Sequence, residues 1–322
     1  MKRADVHYPS APALLPSRLG LSLPRDNNDG GSSEAVKRER VLAMNREAAR
    51  FYHACLYDQN LGAAGLSYLQ SRGLSGATIK HFGLGYAPDG FGSLTDHLTH
   101  LGYSSAELSS AFLCGISKKT GRPYDYFRGR VMFPIIDVTG SVVAFGGRVM
   151  DDSVPKYLNT SDTPVFKKSR NLFALNFAKS KCSERLILCE GYMDVISLHA
   201  NGFENAVATL GTAITPEQAR IMSKYTKQVI ISYDSDAAGQ RAADKAIKLL
   251  GETGLDVRVL RIPGAKDPDE FFKKNGRTGH EKFKLLLDGS RSQFDFKLEG
   301  VLSRYDLSDV DQRVKAASEL CR

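Results

Sequence analysis

The sequence predicts a mixed α/β protein in three parts: an amino-terminal α+β lobe, a parallel-sheet subdomain and a short carboxy-terminal helical segment. Three observations carry this expectation. From Arg185 onward, four short apolar runs alternate with helix-like segments. Upstream, two runs between Arg130 and Phe145 have the texture of a β-hairpin. Apolar residues also recur at helical spacing near both ends of the chain. With 322 residues, 42% of them hydrophobic and 25% charged, the chain is long enough for two or three packed subdomains.

Residues 1–33 read as a disordered linker, interrupted by Pro9, Pro12, Pro16 and Pro24 and closed by turn formers from Asp26 to Ser33. The lobe is expected over 34–183. It opens with a helix on Val41, Leu42, Ala48, Ala49, Tyr52, Cys55 and Leu56. Shorter helices follow over Leu66 to Arg72 and Leu94 to Leu101, stopped by Gly73 and Gly102. Ser104 and Glu107 have capping-box spacing. Arg130–Ile136 and Ser141–Phe145 pair through a turn at Thr139-Gly140.

The sheet subdomain is expected over 184–275. Its strands are the runs beginning at Leu186, Ala206, Val229 and Val257. Thr215, Pro216 and Gln218 fit the cap, first turn and reciprocal box position of one intervening helix, and another runs from about Ala237 to Leu250. Residues 276–322 read as helical and truncated, as in a fragment.

Open parallel sheets bind ligands at the carboxyl ends of their strands, and acids stand there three times. Glu190 ends the first strand, Asp234 and Asp236 the third, and Asp267 and Asp269 follow the fourth. One such acid is commonly a helix cap. Three groups together repel one another and call for a hard divalent cation with oxygen ligands. Magnesium suits the set, because it binds through few carboxylates plus substrate phosphates, and phosphoryl transfer is the chemistry that follows.

The segment from Lys118 to Arg170 holds ten basic residues against five acidic ones, a local +5 within a chain of net charge +8. Strand alternation would put Arg128 and Arg130 on one face, with Tyr124, Tyr126 and Tyr157 near enough to stack on bases. Acids for phosphate chemistry and a basic track for a polyanion together favour a nucleic-acid enzyme.

At the acids the chain resembles the TOPRIM fold, whose signature of a Glu and a later Asp-x-Asp is present as Glu190 and Asp234/Asp236. From about Glu34 onward it resembles DnaG-type bacterial primases. The matching blocks are Tyr126–Ile135, Phe145–Arg148, Pro155–Asn159, Phe166–Phe173, Glu190–Val195 and Asp267–Glu270. The resemblance implies RNA primer synthesis from nucleoside triphosphates on single-stranded DNA with magnesium, for which manganese may substitute. Glu190, Asp234 and Asp236 would be the central catalytic and metal-binding acids. Asp194, Asp267 and Asp269 would support them as ligands or behind the ligands. Arg128, Arg130, Arg148, Lys156 and Lys168 would form the nucleic-acid and nucleotide track, holding template and RNA–DNA hybrid. Ser235 stands where the family often has Gly. A replicative helicase and a single-strand-binding protein would dock through parts the sequence lacks.

The five cysteines form no C-x-x-C pair, so the family's zinc ribbon, and zinc, are not expected. No Gly-Lys-Ser/Thr follows the glycines near Gly85, against a P-loop. No membrane span or secretory leader is read, giving an expected cytoplasmic, nucleoid-associated location. The alternatives are another TOPRIM enzyme, such as a nuclease, and a non-catalytic module that binds single-stranded DNA.

Overall fold

The helical spacing from Val41 to Leu56 becomes the inner face of α1 (Asp29–Tyr57), where Val41, Met44, Ala48, Tyr52 and Leu56 are all buried. The structure, a computed structural model, describes residues 29–320 apart from 212 and 303. The chain divides into two units, Met1–Glu39 and Arg40–Arg322, and apart from the opening of α1 every residue discussed below belongs to the second. Of the expected linker, residues 1–28 lie outside the described residues. Asp29 to Ser33 are helical rather than turn, as the opening of α1.

The lobe continues with α2 (Ala63–Ser71), α3 (Gly76–His81), β1 (Gly85–Ala87), α4 (Ser93–His100), α5 (Ser105–Ser110), β2 (Cys114–Ile116) and β3 (Pro123–Asp125). The box before α5 forms: Ser104 Oγ accepts the Glu107 N–H, and the Glu107 carboxylate accepts the Ser104 N–H. A four-stranded antiparallel sheet, in order β1-β4-β5-β6, is built on the hairpin of β4 (Arg130–Ile136) and β5 (Val142–Val149), with β6 (Tyr157–Asn159) at its edge. The hairpin turn is tied by Asp137 Oδ1, which accepts the N–H groups of Thr139 at 2.9 Å and Ser141 at 3.0 Å.

After α6 (Leu175–Ala178), strands and helices alternate as β7 (Leu186–Cys189), α7 (Tyr192–Ala200), β8 (Ala206–Ala208), α8 (Pro216–Met222), β9 (Gln228–Ser232), α9 (Ala237–Gly251) and β10 (Asp256–Val259). The chain closes with α10 (Pro268–Asn275), α11 (Gly279–Asp288), β11 (Arg291–Ser292), α12 (Gln293–Leu302) and α13 (Val310–Leu320). Sheet order is β11-β10-β9-β7-β8. The four expected strands pair in parallel, and the unforeseen two-residue β11 caps one edge antiparallel to β10.

Strand alternation divides β7 between two cores. Leu186 and Leu188 pack with Met222, Val229 and Leu250, whereas Ile187 and Cys189 join a cluster containing Phe133 and Ile135 of β4. The lobe and the parallel sheet thus share a core. Tyr192 pins the seam: its ring stacks on Phe133 at 5.1 Å and its hydroxyl donates to Asn159 Oδ1 at 2.7 Å. Asn159 Nδ2 in turn donates to the Leu210 carbonyl at 3.1 Å. Gly146 makes room for this ring, since a Cβ there would stand 2.7 Å from it.

Candidate active site

Glu190 and Asp234 emerge from the adjacent strands β7 and β9, so their separation by 44 residues in sequence becomes contact. Glu190 Oε1 accepts the Asp234 backbone N–H at 3.1 Å. Gly239 in the first turn of α9 lets these groups approach: a Cβ there would lie 2.1 Å from the Asp234 carbonyl oxygen and 2.8 Å from Glu190 Oε1. Burial and the Asp234 charge raise the Glu190 carboxyl above its usual range. Burial does the same to Asp234, against the pull of Lys266, whose ammonium stands 3.2 Å from its carboxylate.

Asp236 is exposed and caps α9, accepting the N–H groups of Ala238 and Gly239 at 2.9 Å each. Those bonds hold its carboxyl below the usual range. Asp194, in the first turn of α7, is pushed well upward by burial and then by Asp267, Asp234, Asp269 and Glu190. Asp267 caps α10 by accepting the Glu270 N–H at 2.7 Å. Asp269 is 3% exposed and paired with Arg72 and, at 3.0 Å, with Lys273.

The six acids therefore form one electrostatically coupled patch. Among the described residues, however, no three His, Cys, Asp or Glu side chains stand as ligands around one point. Helix caps and cations hold several of the carboxylates apart. Asp269, expected as a ligand or support, is engaged in two ion pairs, one across the seam with Arg72 and one within α10 with Lys273. Glu190, Asp234 and Asp236 still offer the hard oxygen donors that suit a divalent cation, beside a glycine that keeps their approach open.

The basic residues separate into distinct places. Arg128 and Arg130 do not share strand alternation, because β4 begins only at Arg130 and Gly129 before it has φ +57°. Arg128 stays partly exposed, its guanidinium 4.6 Å from the Phe91 ring and 5.8 Å from Tyr124. Arg130 is buried and points to backbone instead, donating to the carbonyls of Pro155 at 3.0 Å and Gly147 at 3.3 Å. It braces the loop that presents the exposed Lys156 rather than facing solvent itself. Arg148 lies between Tyr68 and Tyr157, at 5.0 and 5.5 Å from their ring centres, with its Nε buried and unpartnered. Lys168 is partly exposed in a single 3₁₀ turn whose carbonyl accepts from Gln218 of α8 at 3.0 Å.

An open groove of about 880 Å³ runs beside β2 and β3, lined by Phe91, Lys118, Lys119, Arg122, Tyr124, Tyr126 and Arg128. Phe91 is 71% exposed there, an aromatic face between cations.

Residues 51–179 match the family described as DNA primase catalytic core, N-terminal domain, and 187–272 match Toprim-like. A solved structure of the DnaG primase catalytic domain bound to single-stranded DNA superposes with a TM-score of 0.77 at 34% identity, covering 88% of this chain and 92% of that one. The chain belongs to the DnaG primase family.

Another primase domain, from Pseudomonas aeruginosa, superposes with a TM-score of 0.78 at 35% identity, covering 86% of this chain and 87% of that one. Among curated relatives, the DNA primase of Clostridium acetobutylicum is 39% identical over 321 residues, 99% of this chain and 52% of that protein. The DNA primase of Pseudomonas aeruginosa is 37% identical over 286 residues, 86% of this chain and 43% of that protein. The chain thus spans about half the length of the curated relatives it matches. The Toprim-like match takes in all six acids, and the fold is the mixed α/β arrangement of primase catalytic cores.

Two residues of this primase chain escaped the sequence reading. Lys266 touches Asp234, and its only signal was a lysine set directly before Asp267-Pro268-Asp269. Arg72 reaches Asp269 across 197 residues of sequence. A lone arginine before the helix-ending Gly73 gives no hint of that partner.

Proposed function

We propose that this chain is the RNA-polymerising core of a primase, which joins nucleoside triphosphates into short RNA on single-stranded DNA during replication. The observation that carries this reading is the meeting of Glu190 and Asp234 across β7 and β9, at the carboxyl edge of the sheet. In the reaction a primer 3′-hydroxyl forms a bond to the α-phosphorus of the next nucleotide. The α–β bridging bond breaks, pyrophosphate leaves, and the hydroxyl proton passes to solvent. Glu190, Asp234 and Asp236 would hold the divalent cation, for which we infer magnesium, with manganese as a substitute. Bound there, it would lower the pKa of the attacking hydroxyl and neutralise charge on the phosphates.

The remaining roles belong to the chain's own side chains. Asp194 would act as a partly buried support behind Glu190. Asp267 would fix the turn carrying Lys266, which keeps Asp234 oriented. Arg148 and Lys156 would receive phosphates through their cationic head groups. The groove beside Phe91 and Arg128 is our candidate for the incoming template, a basic channel with ring faces for unpaired bases. The related catalytic domain bound to single-stranded DNA supports that choice of ligand. Lys168, at the junction of lobe and sheet, would face the RNA–DNA hybrid. A replicative helicase and a single-strand-binding protein are the partners inferred for the longer protein, and the bacterial cytoplasm its location. Among the described residues, no helix is long and apolar enough to cross a membrane.

The test is incorporation of labelled ribonucleotides on single-stranded DNA carrying a preformed primer, with magnesium or manganese. We expect short RNA from the parent and a loss of at least 100-fold in Asp234→Asn and Glu190→Gln, about 2.7 kcal/mol of transition-state stabilisation, with DNA binding retained. Undiminished synthesis in both variants would overturn the site. Degradation of the labelled DNA would favour a nuclease.

A further inference from the structure

Arg148 is held by rings rather than by a carboxylate. Its guanidinium lies over the faces of Tyr68 and Tyr157, and among the described residues it enters no ion pair. Its neighbours are engaged otherwise: Arg130 donates to loop carbonyls, and Arg72 pairs with Asp269. A carboxylate would fix an arginine but cancel its charge. Ring faces fix it and leave both the charge and the outer N–H donors for an incoming anion. The two rings come from different parts of the fold. Tyr157 of β6 is the cross-strand partner of Arg148 on β5, backed by Tyr192 at 5.9 Å and Phe133 at 6.5 Å. Tyr68 comes from α2, which is anchored on either side of it. Before it, Gly65 meets the Tyr86 ring of β1, where a Cβ would stand 2.8 Å from that ring. After it, Arg72 lies one turn on along the same helix face and pairs with the buried Asp269 in the first turn of α10. The Tyr68 hydroxyl is buried without a hydrogen-bond partner, so the ring and not the oxygen makes the contact.

We propose that Tyr68 is a positioning residue for nucleotide binding: its ring, set by the two anchors of α2, holds the Arg148 guanidinium ready for the triphosphate of the incoming nucleotide. The role of Arg148 towards phosphate rests on the polymerase reading; the stack that positions it does not. A free arginine side chain loses its rotamer freedom when it grips a phosphate. One already stacked has lost that freedom beforehand, so the nucleotide binds more tightly. The stack is the same before and during the reaction, so it acts on ground state and transition state alike. Its loss should therefore appear in KM and leave kcat in place. The Arg72–Asp269 pair acquires a second consequence here, since it fixes the helix turn from which Tyr68 projects.

The test titrates ATP into the whole chain with magnesium by calorimetry, without template or primer, and separately measures KM and kcat for ATP on a primed template. Tyr68→Leu should weaken ATP binding and raise KM by roughly fivefold or more, with kcat held within about twofold. Tyr68→Phe should rescue binding, because it keeps the ring and loses only an unpartnered hydroxyl. In an Arg148→Ala background, adding Tyr68→Leu should weaken binding no further, since nothing is left to position. A tyrosine that merely supports the fold predicts additive losses in that cycle. Should urea unfolding show that Tyr68→Leu has lost its fold, Tyr68→Met fills similar space without a ring face and takes its place. Parent-like ATP affinity in Tyr68→Leu, failure of Tyr68→Phe to rescue, additive losses, or no ATP binding by the parent would each overturn the proposal. The expected binding pattern in a chain that makes no RNA would instead sink the polymerase reading and leave the positioning role standing.

Discussion

Gly239 is the point where one methyl group would most directly disturb the acid patch. A Cβ there meets backbone, the Asp234 carbonyl oxygen at 2.1 Å, so relief requires the turn itself to move. We expect Gly239→Ala to retain its fold yet weaken manganese binding at least tenfold, about 1.4 kcal/mol, read by electron paramagnetic resonance of free manganese. Unchanged manganese affinity would mean that the turn does not set the position of the donors. Asp125 gives a contrasting residue, structural rather than chemical. It is 1% exposed and accepts the N–H groups of Leu94 and Thr95 at 2.8 and 2.9 Å, closing the first turn of α4 from another strand. Replacing it with Ala orphans both donors and should lower stability by about 2 kcal/mol, measured by urea unfolding, without altering manganese affinity.

At the scale of elements, local signals were the most legible. The boxes at Ser104/Glu107 and Thr215/Gln218 satisfy helix ends with neighbours in sequence, so spacing alone sufficed. Glu107 also answers to acidity. The Arg40 side chain, then the N–H and hydroxyl of Ser104, hold its carboxyl at about 2, below the ordinary 4.5. Because the folded value is the lower one, this stabilisation is complete above pH 4.5 and is lost as pH falls towards 2. Glu107→Ala should therefore unfold earlier than the parent at pH 7, with the difference shrinking across that interval in thermal melts. Arg130 shows where local signals end. Alternation placed it beside Arg128, but the left-handed backbone at Gly129 starts the strand afresh, and the loop carbonyl of Pro155 that claims Arg130 lies 25 residues away. The short strands β1, β2, β3 and β6 were missed for a similar reason: three residues show no period, and only their partners define them.

At the scale of the whole molecule, the parallel order was readable because β7, β8 and β9 are buried on both faces and stand out as apolar runs, with β10 following as an alternating strand. Which strands become neighbours was not readable, nor was the pairing of Arg72 with Asp269, since both arise from packing between distant segments. The separation of charge is likewise a property of the whole, with cations beside β2 and β3 and carboxylates at the sheet edge. If the basic groove holds template, Lys118→Ala and Lys119→Ala should each lower the salt dependence of single-stranded DNA binding by about one phosphate contact. Arg130→Met should leave that slope intact while making the Asp151–Lys156 loop more susceptible to limited proteolysis. Filter binding from 50 to 200 mM salt and a trypsin time course separate the groove lysines from the bracing arginine.

The exchange of neighbours within the parallel sheet carries a practical consequence. Glu190 and Asp234 sit on touching strands, yet the chain between them travels out through β8 at the sheet's rim and back along α8. A break at either exposed lysine, Lys224 or Lys227, would therefore produce two pieces, each with one half of the acid pair and neither able to complete it alone. Co-expressed halves would regain manganese binding only by finding each other. The sheet would then serve as a split reporter, its signal appearing when β9 slides in beside β7.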